Sequence, residues 1–92
     1  MTEKTKAPVR SLSTIATEIR RDWSATSKNG VYFGAVPYLK AMSNMDKITD
    51  AYGCDSGSSI VNYFLANAQT WRGETAKRVK AELNAMVKNS YR

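Results

Sequence analysis

Apolar residues return at helical spacing in four stretches of this chain, separated by short polar or glycine-bearing interruptions. In the first stretch Leu12, Ile15, Ile19 and Trp23 recur at intervals of three and four, with Ala16 beside them. This spacing predicts a helix over residues 13–26. A hydroxyl of Ser11, Ser13 or Thr14 can cap its start, and Lys28, Asn29 and Gly30 form its stop. In the second stretch Ala35, Tyr38, Leu39, Met42, Met45, Ile48 and Tyr52 hold helical spacing, and Gly53 stands at a C-cap position. Pro37 fits only the first turn of that helix, because a proline there removes an N–H that had no partner. The helix is therefore expected to start near Gly34, with Ser43 and Asn44 as the point where it would break in two.

The third stretch, SGSSIVNYFLANAQTW from Ser56 to Trp71, carries no charge over sixteen residues. Ile60, Val61, Phe64, Leu65 and Ala68 form its broad apolar stripe, while Asn62, Tyr63, Ala66, Asn67 and Gln69 are small or neutral. It predicts a central helix over residues 57–71, covered by the others and capped by Asp55, Ser56 or Ser58. After Gly73, the stripe Ala76, Val79, Leu83, Met86 and Val87 predicts a last helix ending near Asn89, with Lys77, Arg78, Lys80, Asn84 and Lys88 outside. The expected fold is all-α, a compact bundle of about four helices with short loops. Residues 1–12, polar and without period, are expected to be a flexible basic segment ahead of a single helical domain, residues 13–92.

At 92 residues and 42% hydrophobic, the chain has material for one core and no more. Cys54 is its one cysteine and there is no histidine, which removes an internal disulfide and the usual zinc ligand sets. Cys54 lacks a neighbouring cation or base in sequence and reads as a structural or incidental thiol. No secretory signal pattern follows Met1, and the sixteen-residue neutral run is too short and too polar to span a bilayer. The expected location is the cytoplasm.

Catalytic chemistry is hard to assemble from these residues. Without histidine, a Ser or Cys nucleophile lacks its commonest base. Asp46 and Asp50, four apart, read as a solvated helix surface beside Lys47 rather than as metal ligands. The segment DAYGCDSG, residues 50–57, lacks both the alternating oxygen ligands and the closing Glu of a calcium loop. A non-enzymatic protein without metal or cofactor is expected.

The net charge of +6 is divided between the ends. Residues 1–12 contribute +2, residues 72–92 contribute +4, and the middle sums to zero. Arg72, Lys77, Arg78, Lys80 and Lys88 are thus the candidate contacts for a polyanion, whether nucleic acid or an acidic protein face. They also suit an ordinary solvated helix, since Lys and Arg are good exposed helix formers. The TWRGE turn permits a helix-turn-helix reading with residues 74–88 as recognition helix, a weakly specific pattern. A second candidate surface comes from the aromatic residues. Tyr32, Phe33 and Tyr38 gather at the start of the second helix, and Trp71 and Arg72 stand at the end of the third. Most of these rings belong to a core, but Tyr32, Tyr38 and Trp71 would suit a protein interface wherever they stay exposed.

Two blocks, VYFGAVPYLKAM (residues 31–42) and SIVNYFLANAQTWRGETAKRVKAEL (residues 59–83), resemble a family of small proteins carried by phages and integrative elements of Gram-positive bacteria. The resemblance implies context and transfers no functional residue. Small proteins of such elements are often nucleic-acid-binding regulators or inhibitors of host defence, including anti-CRISPR proteins. The basic charge argues against an acidic nucleic-acid mimic, the commonest kind of defence inhibitor, and leaves room for one that blocks an acidic or hydrophobic protein surface. The leading expectation is an anti-defence inhibitor that binds a protein effector. The alternative is a nucleic-acid-binding accessory protein, and self-association is compatible with either.

Overall fold

The computed structural model describes residues 10–53 and 55–90. The order of elements is α1 (Leu12–Thr26), a 3-10 turn (Phe33–Ala35), α2 (Val36–Ser43), β1 (Ala51–Tyr52), β2 (Asp55–Ser56), α3 (Gly57–Ala66) and α4 (Glu74–Ser90). The all-α expectation of four helices holds.

Helix α1 begins where its cap allows. The Ser11 hydroxyl accepts from the Thr14 N–H at 3.1 Å, leaving Leu12 as the first helical residue and fully buried. Leu12, Ile15, Ala16, Ile19 and Trp23 form its buried stripe. Residues 10–12, expected to belong to the flexible segment, are thus part of the folded domain; the remainder of that segment lies outside the described residues. Gly30, at φ +73°, reverses the chain after the helix.

The long second helix is replaced by a short one, and the reason lies in α1. The first-turn N–H groups of a helix have no partner within it. Here Leu12 and Ser13 donate to the carbonyls of Asp46 and Met45, at 2.9 and 3.0 Å. A helix running on through Met45 would bond those carbonyls to itself. The chain instead leaves the helix at Asn44, whose N–H bonds back to Ala41 and whose side chain donates to the Lys40 carbonyl at 3.0 Å. The Ser43 hydroxyl similarly donates to Leu39 at 2.9 Å. Asp50 closes the following turn by accepting from the N–H groups of Asp46 and Lys47 at 3.1 and 3.0 Å. These bonds hold its carboxyl below the usual carboxylate range. Asp46 and Asp50 therefore belong to a turn, not to one helix face.

Gly53, expected as a C-cap, instead sits at φ +64° in the link of a minimal antiparallel hairpin pairing Ala51 with Ser56 and Tyr52 with Asp55. Cys54 lies outside the described residues. Helix α3 starts at once, with the Ser56 hydroxyl accepting from the Ser59 N–H at 3.2 Å. It ends at Ala66 rather than near Trp71, five residues early, as Asn67 turns its side-chain amide onto the Tyr63 carbonyl at 2.9 Å.

Helices α1 and α3 each pack against both α2 and α4, so the four helices close into a ring. The neutral segment forms one wall of this ring. Ile60, Val61 and Phe64 face inward, while Asn62, Tyr63 and Ala66 face out. The core is fastened at one end by three rings. Trp23 and Trp71 stack at 5.7 Å between centroids and 13° between planes, and Phe64 meets both edge-on at 6.3 Å. Such pairs add about 0.5–1.5 kcal/mol each beyond the area they bury.

Candidate interaction site

The α4 cations are the first surface to test. Arg72, Lys77 and Lys88 are exposed and have no ion-pair partner among the described residues. Lys77 and Lys88 are eleven residues apart, close to three helical turns, and so share a face. The other two cations of the stripe are engaged in holding the fold. Arg78 pairs with Glu18 of α1. Glu18 in turn lies 2.8 Å from Arg10 Nη1, and Arg10 grips Glu82 through Nε and Nη2 at 3.0 and 2.6 Å. This chain of four charges, Glu82–Arg10–Glu18–Arg78, ties the entry to α1 onto α4. Burial pushes the Glu18 carboxyl up, but the bonds from Arg10 and Arg78 outweigh it and hold the group below its usual range.

Lys80 is half-buried. Its Nζ donates to the Trp71 carbonyl at 2.7 Å and lies 5.9 Å from the indole centroid. Burial, helped by the charge of Arg72, pushes this ammonium below the usual lysine range. Lys80 is therefore withdrawn from the stripe as a free phosphate contact.

The aromatic surface is rearranged in a similar way. Trp71, an interface candidate only if it stayed exposed, is fully buried: it stacks on Trp23, and its indole N–H donates to Asp22 Oδ2 at 2.9 Å. Tyr38 is half-buried and tilted against Tyr63 at 5.5 Å. Tyr32 does face solvent, at 43% exposure, and packs against Phe33 at 4.9 Å.

Tyr32 is one of a few large apolar side chains that the helical stripes leave outside the core. Tyr32, Phe33, Val36 and Tyr63 are the exposed large apolar side chains among the described residues. Phe33 stands 79% exposed on the 3-10 turn. Leaving such a ring in water forgoes about 1.5–3 kcal/mol of burial. Tyr32 is held by its neighbours: a Cβ on Gly34 would come within 2.6 Å of Tyr32 Cε2 and 2.9 Å of Asn67 Oδ1. Only a glycine lets ring, turn and α3 C-terminus come this close. Shallow clefts surround the ridge. One of about 470 Å³ includes Gly30, Val31, Tyr32 and Phe33, and another of about 320 Å³ runs from Tyr32 to Asn67 and Thr70. A third, about 240 Å³, lies between α1 and α2, lined by Arg20, Ser24, Val31, Val36 and Leu39.

Val36 and Tyr63 were not among the contacts expected from sequence. Both carried a usable signal, since Val36 falls off the Ala35–Leu39–Met42 stripe and Tyr63 falls off the Ile60–Phe64 stripe. A large apolar residue off its own helix's buried face must be covered by something else or stay exposed.

Among the described residues no group of three or more Cys, Asp or Glu side chains converges as metal ligands would, and no helix is long and apolar enough to cross a membrane. No family model matches the chain, and no curated protein or solved structure is significantly similar to it.

Proposed function

We propose that this chain is a small non-catalytic binding protein of a phage or mobile element, acting in the cytoplasm as an anti-defence inhibitor of the anti-CRISPR kind by occupying a protein effector. The observation that carries the protein-binding part is Phe33, 79% exposed and packed against the exposed Tyr32, with exposed Val36 three residues further on. Aromatic side chains clustered at a surface are the commonest anchors of protein interfaces. The anti-defence part is supported by the resemblance of residues 31–42 and 59–83 to proteins of such elements. The test is CRISPR interference in cells expressing the wild-type chain or Phe33→Asp. Interference suppressed by the first and restored by the second is expected. Interference untouched by the wild-type chain overturns the reading for the effector assayed.

The second reading, a nucleic-acid-binding accessory protein, is favoured by the exposed Arg72, Lys77 and Lys88. Magnitude counts against it. These three alone, neutralising three phosphates, give a log–log salt slope of only about −2.7, against the 6–10 contacts of strong duplex binders. Titration with duplex and single-stranded DNA at low salt decides the matter. Binding that survives in Phe33→Asp and is lost in a Lys77→Gln/Lys88→Gln chain would establish the second reading over the first.

A further inference from the structure

The clefts beside the ridge are not neutral: the charged side chain that lines them is a cation. Arg20 forms a wall of the α1–α2 cleft. Lys40 is exposed on α2 four residues beyond Val36, on the same helical face. Lys28 is exposed in the loop between Ser27 and Asn29, both of which line the neighbouring cleft. No acidic residue lines any of the three clefts among the described residues.

The nearby carboxylates are committed elsewhere. Glu18 is held by Arg10 and Arg78 on the α4 side of α1. Asp22 accepts from the Trp71 indole. Asp50 is turned onto the backbone N–H groups of Asp46 and Lys47. The clefts beside the ridge are thus lined by one cation, Arg20, and by no carboxylate among the described residues, with Lys28 and Lys40 exposed close by in sequence. Such a lining repels basic partners and steers acidic ones.

The cleft itself sets the kind of group that enters. Its floor is Leu39, 1% exposed, with Val31 half-buried and Val36 at its edge. Its volume of about 240 Å³ lies below the roughly 300 Å³ at which pockets for free small molecules begin. It suits one aliphatic or aromatic side chain presented by a polypeptide. Aromatic rings with cations nearby also describe platforms for single-stranded nucleic acid. An aliphatic cleft beside the rings has no use for a stacked base, and this favours the polypeptide.

We infer that the α1–α2 cleft and the Tyr32–Phe33 ridge together bind a polypeptide segment whose apolar anchor side chain is flanked by aspartate or glutamate. The anchor fills the cleft against Val31, Val36 and Leu39. The flanking carboxylates meet Arg20 and Lys40, with Lys28 on the far side of the ridge. The inference rests on the protein-partner reading above and names the chemistry of that partner's contact surface.

The test uses the whole chain and three fluorescent peptides with a central Leu-Phe pair, flanked by Asp/Glu, by Asn/Gln or by Lys/Arg, plus an oligo-dT strand. The Asp/Glu peptide is expected to bind about ten-fold more tightly than the Asn/Gln one at low salt, a difference of about 1.4 kcal/mol. The gap should close near 0.5 M salt, where screening shortens charge interactions to roughly contact distance. Arg20→Gln/Lys40→Gln should bring the acidic peptide down to the neutral one. Phe33→Asp, at an exposed position that leaves the core intact, should weaken both. Equal affinity for the acidic and neutral peptides overturns the inference, as does absence of binding by either at about 1 mM, a limit of about −4 kcal/mol. Oligo-dT bound more tightly than the acidic peptide and released by Phe33→Asp overturns it in favour of nucleic acid. A dimer in sedimentation equilibrium, dissociated by Phe33→Asp, overturns it in favour of a second copy of the chain. The two readings fail separately. Suppressed interference without an acidic preference discards this inference and keeps the protein effector. An acidic preference with intact interference keeps the inference and discards the defence role.

Discussion

Lys80 Nζ and the carbonyl oxygen of Trp71 lie 2.7 Å apart, joined by a hydrogen bond that fixes the loop between α3 and α4 to the helix that follows it. A cation that reads in sequence as part of a docking stripe is thereby a fastener of the fold. Trp71 brings its ring to Trp23 and its N–H to Asp22 from this loop, which has no helix of its own to hold it.

Lys80→Met should destabilise the protein by about 1–2 kcal/mol, because it leaves the Trp71 carbonyl without its donor. Lys77→Met, at an exposed position on the same helix, should stay within about 0.5 kcal/mol of the wild type. Urea unfolding of the two variants checks this. Equal stabilities would place Lys80 with the surface cations after all.

Acid should loosen the contact between α1 and α4. The Glu18 carboxyl is held below its ordinary 4.5 in the folded chain, so between these two values the unfolded chain binds more protons than the folded one. Stability from this group is therefore complete above pH 4.5 and is lost as pH falls below it. Asp50, held low by the N–H groups of Lys47 and Asp46, acts in the same direction. The discriminating measurement is the melting temperature of wild type and Glu18→Gln between pH 6 and pH 3, roughly spanning ordinary carboxylate titration. The variant should melt lower at pH 6 and show a smaller loss on acidification.

Gly57→Ala should be costly. The added methyl would lie 2.4 Å from the Ile48 carbonyl oxygen and 2.8 Å from its carbon, both of them backbone atoms. The Gly57 N–H donates to the Asp50 carbonyl at 2.7 Å, so α3 has little freedom to back away. A loss of about 1–3 kcal/mol is expected, as for other overpacked sites, and thermal melts will show it.

Gly34→Ala meets a different neighbour. Here the closest atom is on the Tyr32 ring, which can swing aside, and Gly34 has no positive φ. Stability should change by less than about 1 kcal/mol, while Tyr32 is displaced from Asn67. In an NMR spectrum the Tyr32 ring signals should move and those of Trp23 and Trp71 should not. Movement of the tryptophan signals would show that the ridge is coupled to the core.

The outer helices are legible in the sequence to within a residue or two, because α1 and α4 carry unbroken stripes between plain start and stop signals. The middle is legible in part. Met45 and Ile48 continue the spacing of α2 across a turn, and Met45 is buried as a helical residue would be. The break at Ser43 and Asn44 is legible, and α2 does end there; what no local pattern encodes is that the carbonyls of Met45 and Asp46 beyond it serve Leu12 and Ser13, more than thirty positions away. The site divides in the same way. Tyr32 is readable as exposed, since it precedes a proline-started helix and lies on no stripe. That Trp71 belongs to the core is also readable, but its hydrogen-bond partner Asp22, 49 residues distant, is not. The inward turn of Lys80 follows from that burial.

The ridge and the core alternate within a single short stretch. Tyr32, Phe33, Val36 and Pro37 point outward, while Ala35 and Leu39 are buried between and beyond them. The outward positions are therefore open to wholesale replacement while the inward ones stay constant. A lineage, or a selection experiment randomising positions 32, 33 and 36, can change the chemistry of this surface without having to invent a new scaffold.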